Sequence, residues 1–357
     1  MKAINNTLIL LLLTISFGML ASCDATNGDK VQRRHKSLLT PTSSGNPYEV
    51  LVVAEDSLWN GYAGEALRQV LERPIPMLPQ EEPTFHVSHV NFSHYDRITN
   101  IFRNIIKLEV DQYSTEAHFS IQRDMFSTPQ LILTVKGPTH QQISSFITEQ
   151  TKFFIQYISA EELNRNAMLL EEQHNLKFNK MVKEMFGCEL YIPTDLNKIK
   201  KGNNFIWASN DGTNVIQSIC IYSYPYATER VFTLDAYVKL RNKFMKDNIP
   251  GFKPNQYMTT TKGFVQVKDI NVQDHYVQEA RGLWEMANDM MGGPFIAHSQ
   301  VDTINNMVVV VEGFVYAPDK MKRTMIRRLQ SALYTLKLPT ERLDTLSTSN
   351  KQDNEKN

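Results

Sequence analysis

A short apolar run near the start of the chain limits how the rest of it can fold. The run extends from Leu8 to Leu20 and follows a basic residue, Lys2. As a helix it would rise about 20 Å, which is less than the roughly 30 Å hydrocarbon core of a bilayer. Its length and its basic start are therefore typical of a secretory signal peptide and not of a membrane span. The fold must come from the residues that follow.

The run ends in Leu20-Ala21-Ser22-Cys23, and this ending resembles the lipobox of bacterial lipoproteins. The resemblance implies that residues 1–22 are removed, that the Cys23 thiol carries a diacylglyceryl group, and that its new amine is acylated, for example with palmitate. Two or three acyl chains anchor a protein stably. We therefore expect a lipoprotein on the cell membrane or the outer membrane, with its bulk in the periplasm or at the cell surface. The alternative is an ordinary signal peptide that ends near a cysteine.

Composition divides the remaining chain into segments. Residues 23–46 are rich in Ser, Thr, Asn, Gly and charged residues, which predicts a flexible linker. Residues 340–357 are similarly polar and predict a disordered tail. Hydrophobic residues make up 42% of the chain, enough for a sizeable core. From its length we expect two α+β domains, at 47–187 and 188–339.

The first of these domains shows clear strand and helix signals. The apolar run Glu49–Ala54 predicts a strand that is buried on both faces, and the apolar stripe after it predicts a helix that ends near Arg73. Capping boxes beginning at Thr139 and Ser159 predict two long helices. Gly187 is a natural end for the second of them. Further strands are predicted at 85–92, 104–110, 117–123 and 130–136.

The second domain repeats this style. Strands are predicted at 188–192, 205–208, 215–224, 263–267, 276–284, 295–301 and 307–316, with helices at 233–248 and 318–338. The order of strand, loop and helix at 130–158 recurs at 307–337. Because the connections between strands are short, the sheets should be mainly antiparallel. The predicted fold is α+β, with two similar halves, each a mainly antiparallel sheet packed by amphipathic helices.

Charge excludes one class of partner and marks one helix. Lys plus Arg and Asp plus Glu each number 38, so a nucleic-acid binder that works through global charge is excluded. The last predicted helix nevertheless carries six basic residues and one acid, Asp319. Helical spacing turns Arg323 and Arg327 outward, with nothing in the local sequence to neutralise them. This face should either contact anionic lipid or an acidic envelope protein, or be a solvated helix face.

The densest group of potential metal ligands is His86, His89, His94 and Asp96. In a strand His86 and His94 share one face while His89 points to the other, so we expect a solvated strand edge with no metal or other cofactor. The chain has no phosphate loop and no nucleophile elbow. An enzyme is therefore not the favoured prediction. The alternative is an envelope hydrolase whose site is assembled from scattered residues such as His86, His94, Asp96 and Glu285.

Cysteine and histidine offer two further expectations. Cys188 and Cys220 are the cysteines that follow Cys23, and they are either joined in a disulfide or buried as separate thiols. His174 lies on the apolar stripe of a predicted helix and is expected to be a core histidine with a hydrogen-bond partner.

The segment from Arg281 to Glu285, followed by Met291-Gly292-Gly293-Pro294-Phe295, resembles the central motif of an uncharacterised lipoprotein family, domain of unknown function 4837, from Bacteroides-like bacteria. The likeness extends over most of the mature chain. It brings no catalytic residues. The Trp284 indole N–H needs a partner, and Arg281 and Glu285 are expected to pair on the same strand face, so these residues should either anchor the fold or form a ligand-binding surface. Because the sequence contains no local catalytic signature, a binding or assembly module is the favoured prediction.

Overall fold

Two β-sheets of different construction organise the chain. The computed structural model describes residues 40–210 and 212–339, and within these ranges seven α-helices accompany the sheets. No helix in the described ranges is both long and apolar enough to cross a bilayer. The predicted signal peptide, Cys23 and the predicted tail at 340–357 lie outside the described residues.

The first half contains a five-stranded sheet and four helices. Their bounds are β1 Glu49–Val53, α1 Asp56–Trp59, α2 Tyr62–Leu71, β2 His86–Val90, β3 Asn104–Val110, β4 His118–Arg123, β5 Leu131–Gly137, α3 His140–Glu149 and α4 Thr151–Glu172. The strand order is β2-β1-β3-β5-β4. The pairings of β1 with β2, β1 with β3, and β3 with β5 are parallel, and only β4 is antiparallel to its neighbour.

The second half contains a seven-stranded sheet and three helices. Their bounds are α5 Leu176–Phe186, β6 Lys198–Gly202, β7 Phe205–Ser209, β8 Ile216–Pro225, α6 Leu234–Asn248, β9 Met258–Val272, β10 His275–Met286, β11 Gly292–Asp302, β12 Met307–Tyr316 and α7 Arg323–Leu333. The strand order is β6-β7-β8-β12-β11-β10-β9, and every pairing is antiparallel.

The predicted α+β fold with two sheet-containing halves is confirmed. Mainly antiparallel pairing describes the seven-stranded sheet, whereas the five-stranded sheet is mixed and its central strands are parallel. Strands β1 and β5 are buried on both faces, as parallel strands covered by crossover helices usually are. The halves share the order of a strand followed by an amphipathic helix, β5 with α3 and β12 with α7.

The predicted helix boundaries hold where local capping decides them. The Thr139 side chain accepts a hydrogen bond from the Gln142 amide at the start of α3, and Gly187 ends α5 in a left-handed conformation with φ of 70°. The predicted start at Ser159 is wrong, because Ser159 is buried in the middle of α4. The chain instead breaks after Glu172, and the Asn175 side chain caps α5.

The packing of helix α5 locates the boundary between the two halves. Its residues Phe178, Val182 and Phe186 pack in a core on the seven-stranded sheet, although the predicted boundary near 187 assigned this helix to the first half. The predicted strand at 188–192 is reduced to a single bridge between Glu189 and Lys337. The end of the predicted linker is also structured, because residues 42–44 pair with Phe102 and Thr128 of the first half.

Helix α7 joins the two halves. It packs on β11 and β12 on one side and on α4 on the other. The carboxylate of Glu82, which belongs to the first half, accepts hydrogen bonds from the backbone amides of Lys322 and Arg323 at 2.6 and 2.7 Å. Only 1% of Glu82 is exposed. Its charge lies at the amino end of the helix, where the unpaired amides and the helix dipole favour an anion.

We expect Glu82→Gln to lower the free energy of unfolding by about 1–3 kcal/mol, because a neutral amide offers one acceptor where the carboxylate offers two. Urea denaturation measures the change. The control is Glu81→Gln at the exposed neighbouring position. Equal stability of the two variants would show that this contact does not hold α7 in place.

Candidate functional site

The structure brings two of the predicted binding residues, Arg281 and Arg327, into one buried polar cluster. The cluster lies where α7 and the chain before β1 meet one face of the seven-stranded sheet. We call it the interhalf cluster, and it consists of Tyr48, Glu279, Arg281, His298, Arg327 and Gln330.

Glu279 is the centre of the interhalf cluster. Arg281 donates to it through Nε at 2.8 Å and through Nη2 at 3.2 Å, and Lys268 lies 3.1 Å away at the exposed edge. His298 stands directly opposite Glu279 on the neighbouring strand, with its Nε2 3.5 Å from Oε2. Strand register thus places a guanidinium and an imidazole beside the same carboxylate.

Burial by itself shifts the pKa values of Glu279 and His298 in opposite directions. For Glu279 burial alone would raise the pKa, but the Arg281 guanidinium and the neighbouring His298 outweigh it and hold the pKa well below its usual range. For His298 burial is the largest effect and lowers the pKa, although Glu279 opposes this. The cluster at neutral pH therefore contains an ionised Glu279 and a neutral His298.

Arg327 lies inside the protein, so the prediction that it points outward is wrong. It is 8% exposed, its guanidinium lies 5.0 Å from the centre of the Tyr48 ring, and its Nη1 donates to Gln330 at 3.2 Å. Burial lowers its pKa. Within the described residues, its Nε and the Tyr48 hydroxyl have no hydrogen-bond partner. The first half packs against this side of α7. The helical periodicity of the sequence does not show that this side is buried.

The other basic residues of α7 also have partners that are distant in sequence. Arg323 is half-buried and donates through Nη1 to the carbonyl of Pro83 at 3.0 Å. Arg328 forms an ion pair with Asp195. Lys320, just before the helix, is exposed. Of the basic residues predicted to point outward, Lys320 is exposed, Arg323 and Arg328 are half-buried, and Arg327 is buried.

Trp284 and Glu285 have different environments. Trp284 is 3% exposed, its Nε1 donates to the carbonyl of Val315 at 3.2 Å, and its ring meets Phe314 edge-on. The indole thus has the partner that its burial requires. Arg281 pairs with Glu279 instead of the expected Glu285, which is exposed. These contacts make Trp284 an anchor of the fold.

A second buried ion pair, between Arg241 and Glu312, occupies the opposite face of the same sheet. Both side chains are fully buried, and Arg241 Nη2 lies 2.7 Å from Glu312 Oε1. Arg241 also donates to Thr260 at 2.8 Å and stacks 3.9 Å from the centre of the Phe295 ring. Sequence reasoning missed this pair, although Glu312 stands alone in the apolar run of β12 and so carried a signal.

The first half has its own buried network around Glu162. This carboxylate contacts Arg103 at 2.9 Å, Arg165 at 2.8 Å and the Asn104 amide at 2.7 Å. In all three networks the charged side chains therefore pair with one another inside the protein. Burying a charge is tolerated when such partners surround it.

The predicted histidine cluster is spread over a strand edge. His89 stacks on Trp59 at 4.9 Å and its Nε2 lies 2.9 Å from the carbonyl of Ala54, while His86, His94 and Asp96 are exposed. Among the residues that the structure describes, no group of three His, Cys, Asp or Glu side chains is placed to hold a metal ion.

The remaining single-residue expectations have mixed outcomes. His174 lies half-buried in the loop between α4 and α5, where its Nδ1 is 3.0 Å from the Leu170 carbonyl and its ring stacks on Tyr191. Cys188 and Cys220 are buried and not joined in a disulfide, so that alternative is wrong. Alternation along β8 explains why, because the two cysteines belong to cores on opposite faces of the sheet.

Two shallow surface grooves lie away from the interhalf cluster. One, of about 300 Å³, lies between the end of α4 and residues 193–194 and includes Leu169 and Arg328. The other, of about 350 Å³, follows α2 from Glu65 to Pro74. Neither is lined by a residue of the interhalf cluster.

Two protein-family models match the chain. Residues 175–335 match the domain of unknown function DUF4837, and residues 43–171 match the domain of unknown function DUF8532. No curated protein matches the chain. The DUF4837 match includes the Arg281–Glu285 motif and supports the predicted resemblance for the second half, whereas the first half matches a different family. The two matched ranges meet where α4 ends and α5 begins.

We expect the stability of the protein to fall as the pH drops below about 6.5, the ordinary pKa of histidine, because the unfolded chain then binds a proton that buried His298 resists. One such group contributes a slope of at most about 1.4 kcal/mol per pH unit. Denaturation of His298→Gln between pH 7.5 and 5, values that bracket about 6.5, should show a shallower decline. His86→Gln, at an exposed position, is the control and should keep the wild-type slope.

The Arg241–Glu312 pair makes a second prediction. Arg241→Met alone should lower the free energy of unfolding by about 3–5 kcal/mol, because it leaves the Glu312 carboxylate buried without its partner. The double variant Arg241→Met with Glu312→Leu should lose much less. Urea denaturation of both variants and of Glu312→Leu completes the cycle, and strictly additive losses would contradict the pairing.

Proposed function

We propose that this protein is a lipid-anchored protein of the cell envelope, held on the cell membrane or the outer membrane through Cys23, and that it acts as a binding or assembly module. The observation that carries the proposal is the sequence Leu20-Ala21-Ser22-Cys23 at the end of an apolar run too short to span a bilayer. The lipid would place the folded residues at the membrane surface.

The use of charge in the interior favours binding over catalysis. A general acid or base must reach the atom whose proton it moves. In the interhalf cluster Glu279 is 2% exposed and paired with Arg281, and His298 is fully buried. The residues of the alternative hydrolase site are separated, since His86 lies in the five-stranded sheet and Glu285 in the seven-stranded sheet. The buried titratable groups of the interhalf cluster thus stabilise the fold and are not placed to act on a substrate.

The joint between the halves supports the same proposal. Glu82 caps α7 across the joint, and Arg327 of α7 lies against Tyr48 of the first half. A scaffold held in one arrangement presents its loops in constant positions, which lowers the entropic cost of binding a partner.

Cys23→Ala tests the anchor. In a bacterial host, wild-type protein should incorporate an alkyne analogue of palmitate and fractionate with membranes. The variant should incorporate none and accumulate as an uncleaved precursor or in soluble form. Ser22→Ala keeps a small residue beside the cysteine and should behave as wild type. A variant that is still processed before residue 23 and still bound to membranes would overturn the proposal.

A further inference from the structure

Two neighbouring loops project from the seven-stranded sheet. One consists of residues 250–257, between α6 and β9, and the other of residues 287–291, between β10 and β11. We call the pair the loop tip. The Gln256 side chain, 5% exposed, donates to the carbonyl of Asn288 at 3.0 Å, and the Asn288 amide donates to the carbonyl of Asn255 at 2.9 Å. The backbone amide of Ala287 donates to Tyr257. Hydrogen bonds thus fix the two loops to each other.

Each loop of the tip presents a large apolar side chain to solvent. Phe252 is 96% exposed and Met290 is 99% exposed. Gln256 also accepts a hydrogen bond from the Lys253 amide, which holds the backbone next to Phe252 in place. Apolar area of this kind gains free energy when it leaves water. Two such side chains on adjoining, hydrogen-bonded loops indicate a contact surface more strongly than single exposed residues scattered elsewhere.

The groups around the loop tip fit the boundary between water and lipid. The Lys246 ammonium lies 4.7 Å from the centre of the Tyr257 ring, and a lysine stem with an aromatic ring is a common pair at membrane interfaces. Lys253 is exposed, and the Asp289 carboxylate accepts from the Met290 amide at 2.6 Å. Because charges of both signs are present, the attraction to a bilayer would come from the apolar side chains.

The tether does not determine which side of the folded unit faces the membrane, so the chemistry of the protein surface must determine it. Seventeen residues lie between Cys23 and Pro41, where the compact unit begins, and the 18 Cα–Cα steps from Cys23 to Pro41 span at most about 60 Å. A unit of roughly 300 residues has a radius of gyration of about 19 Å and hence a diameter of about 50 Å. A tether of this length can bring any side of the unit to the bilayer. At the high effective concentration that a tether creates, a weak apolar contact is enough to select one side.

We propose that the loop tip, through Phe252 and Met290, inserts into the interfacial layer of the bilayer that holds Cys23, and so orients the folded unit on the membrane. This proposal rests on the lipid anchor of the proposed function. It commits the loop tip to lipid, and a protein partner at the same place is an outcome of the test below.

The test uses the full chain, lipidated in cells, purified and reconstituted into vesicles of phosphatidylethanolamine and phosphatidylglycerol. Phe252→Cys and Met290→Cys are each labelled with a fluorophore sensitive to water. Tyr113→Cys, at a 98% exposed position in the loop between β3 and β4, is the matched control. Cys188 and Cys220 are buried, so wild-type protein measures any background labelling.

We expect labels at 252 and 290 to shift their emission to the blue and to be quenched by lipids brominated in the acyl chain several-fold more than the label at 113. Equal quenching at all three positions, or none at 252 and 290, would overturn the proposal. Labels at 252 and 290 that stay in water would leave the loop tip facing away from the bilayer, as a surface for a protein partner. Mass spectrometry of Cys23 separates the two failures, because an unlipidated chain contradicts the proposed function and a lipidated chain with water-exposed labels contradicts only this inference.

Discussion

The carboxylate of Glu82 on the first turn of α7 is the contact on which the joining of the two halves depends. The amides of Lys322 and Arg323 have no acceptor within their own helix, and burial removes water as an alternative. An acid from the first half therefore completes a helix of the second. One turn further along α7, Arg327 lies against Tyr48, so the same helix also needs the first half to cover its charged side chain. The segments that match two different family models thus form one compact unit.

Local signals in the sequence predicted the elements whose ends depend on near neighbours. Thr139 caps α3 and Gly187 ends α5 because the required contacts lie within one turn. The capping box at Ser159 failed although its pattern is equally good. Phe154 and Ile158, before Ser159, pack in the core of the first half, and Glu162, after it, is buried against Asn104, so a helix that continues through Ser159 keeps both sets of contacts. Tertiary packing outweighed a local preference that contributes only about 1 kcal/mol.

The candidate site was predictable only in part, for a related reason. Arg281 was singled out from a motif and Arg327 from a run of basic residues, yet nothing in the sequence joins them through Glu279 and Gln330. The same limit applies to Arg241 and Glu312, which are 71 residues apart. A lone acid in an apolar strand indicates that a buried partner exists, but strand order and helix placement decide which residue it is. The predicted exposure of Arg327 on α7 was wrong because the prediction assumed that the helix is buried on one side, whereas α7 is buried on two.

The buried ion pairs of the folded unit lie in its interior, whereas the loop tip presents apolar side chains to solvent. Three buried networks hold acidic and basic side chains in the interior, where each needs several partners to offset its desolvation. Such networks tolerate little rearrangement, which favours a folded unit that behaves as one body. When one body carries two exposed apolar side chains on adjoining loops, immobilising one of them also places the other. The entropy lost when the second contact forms is then small. Two contacts that are each weak on a flexible chain therefore reinforce each other on a rigid one.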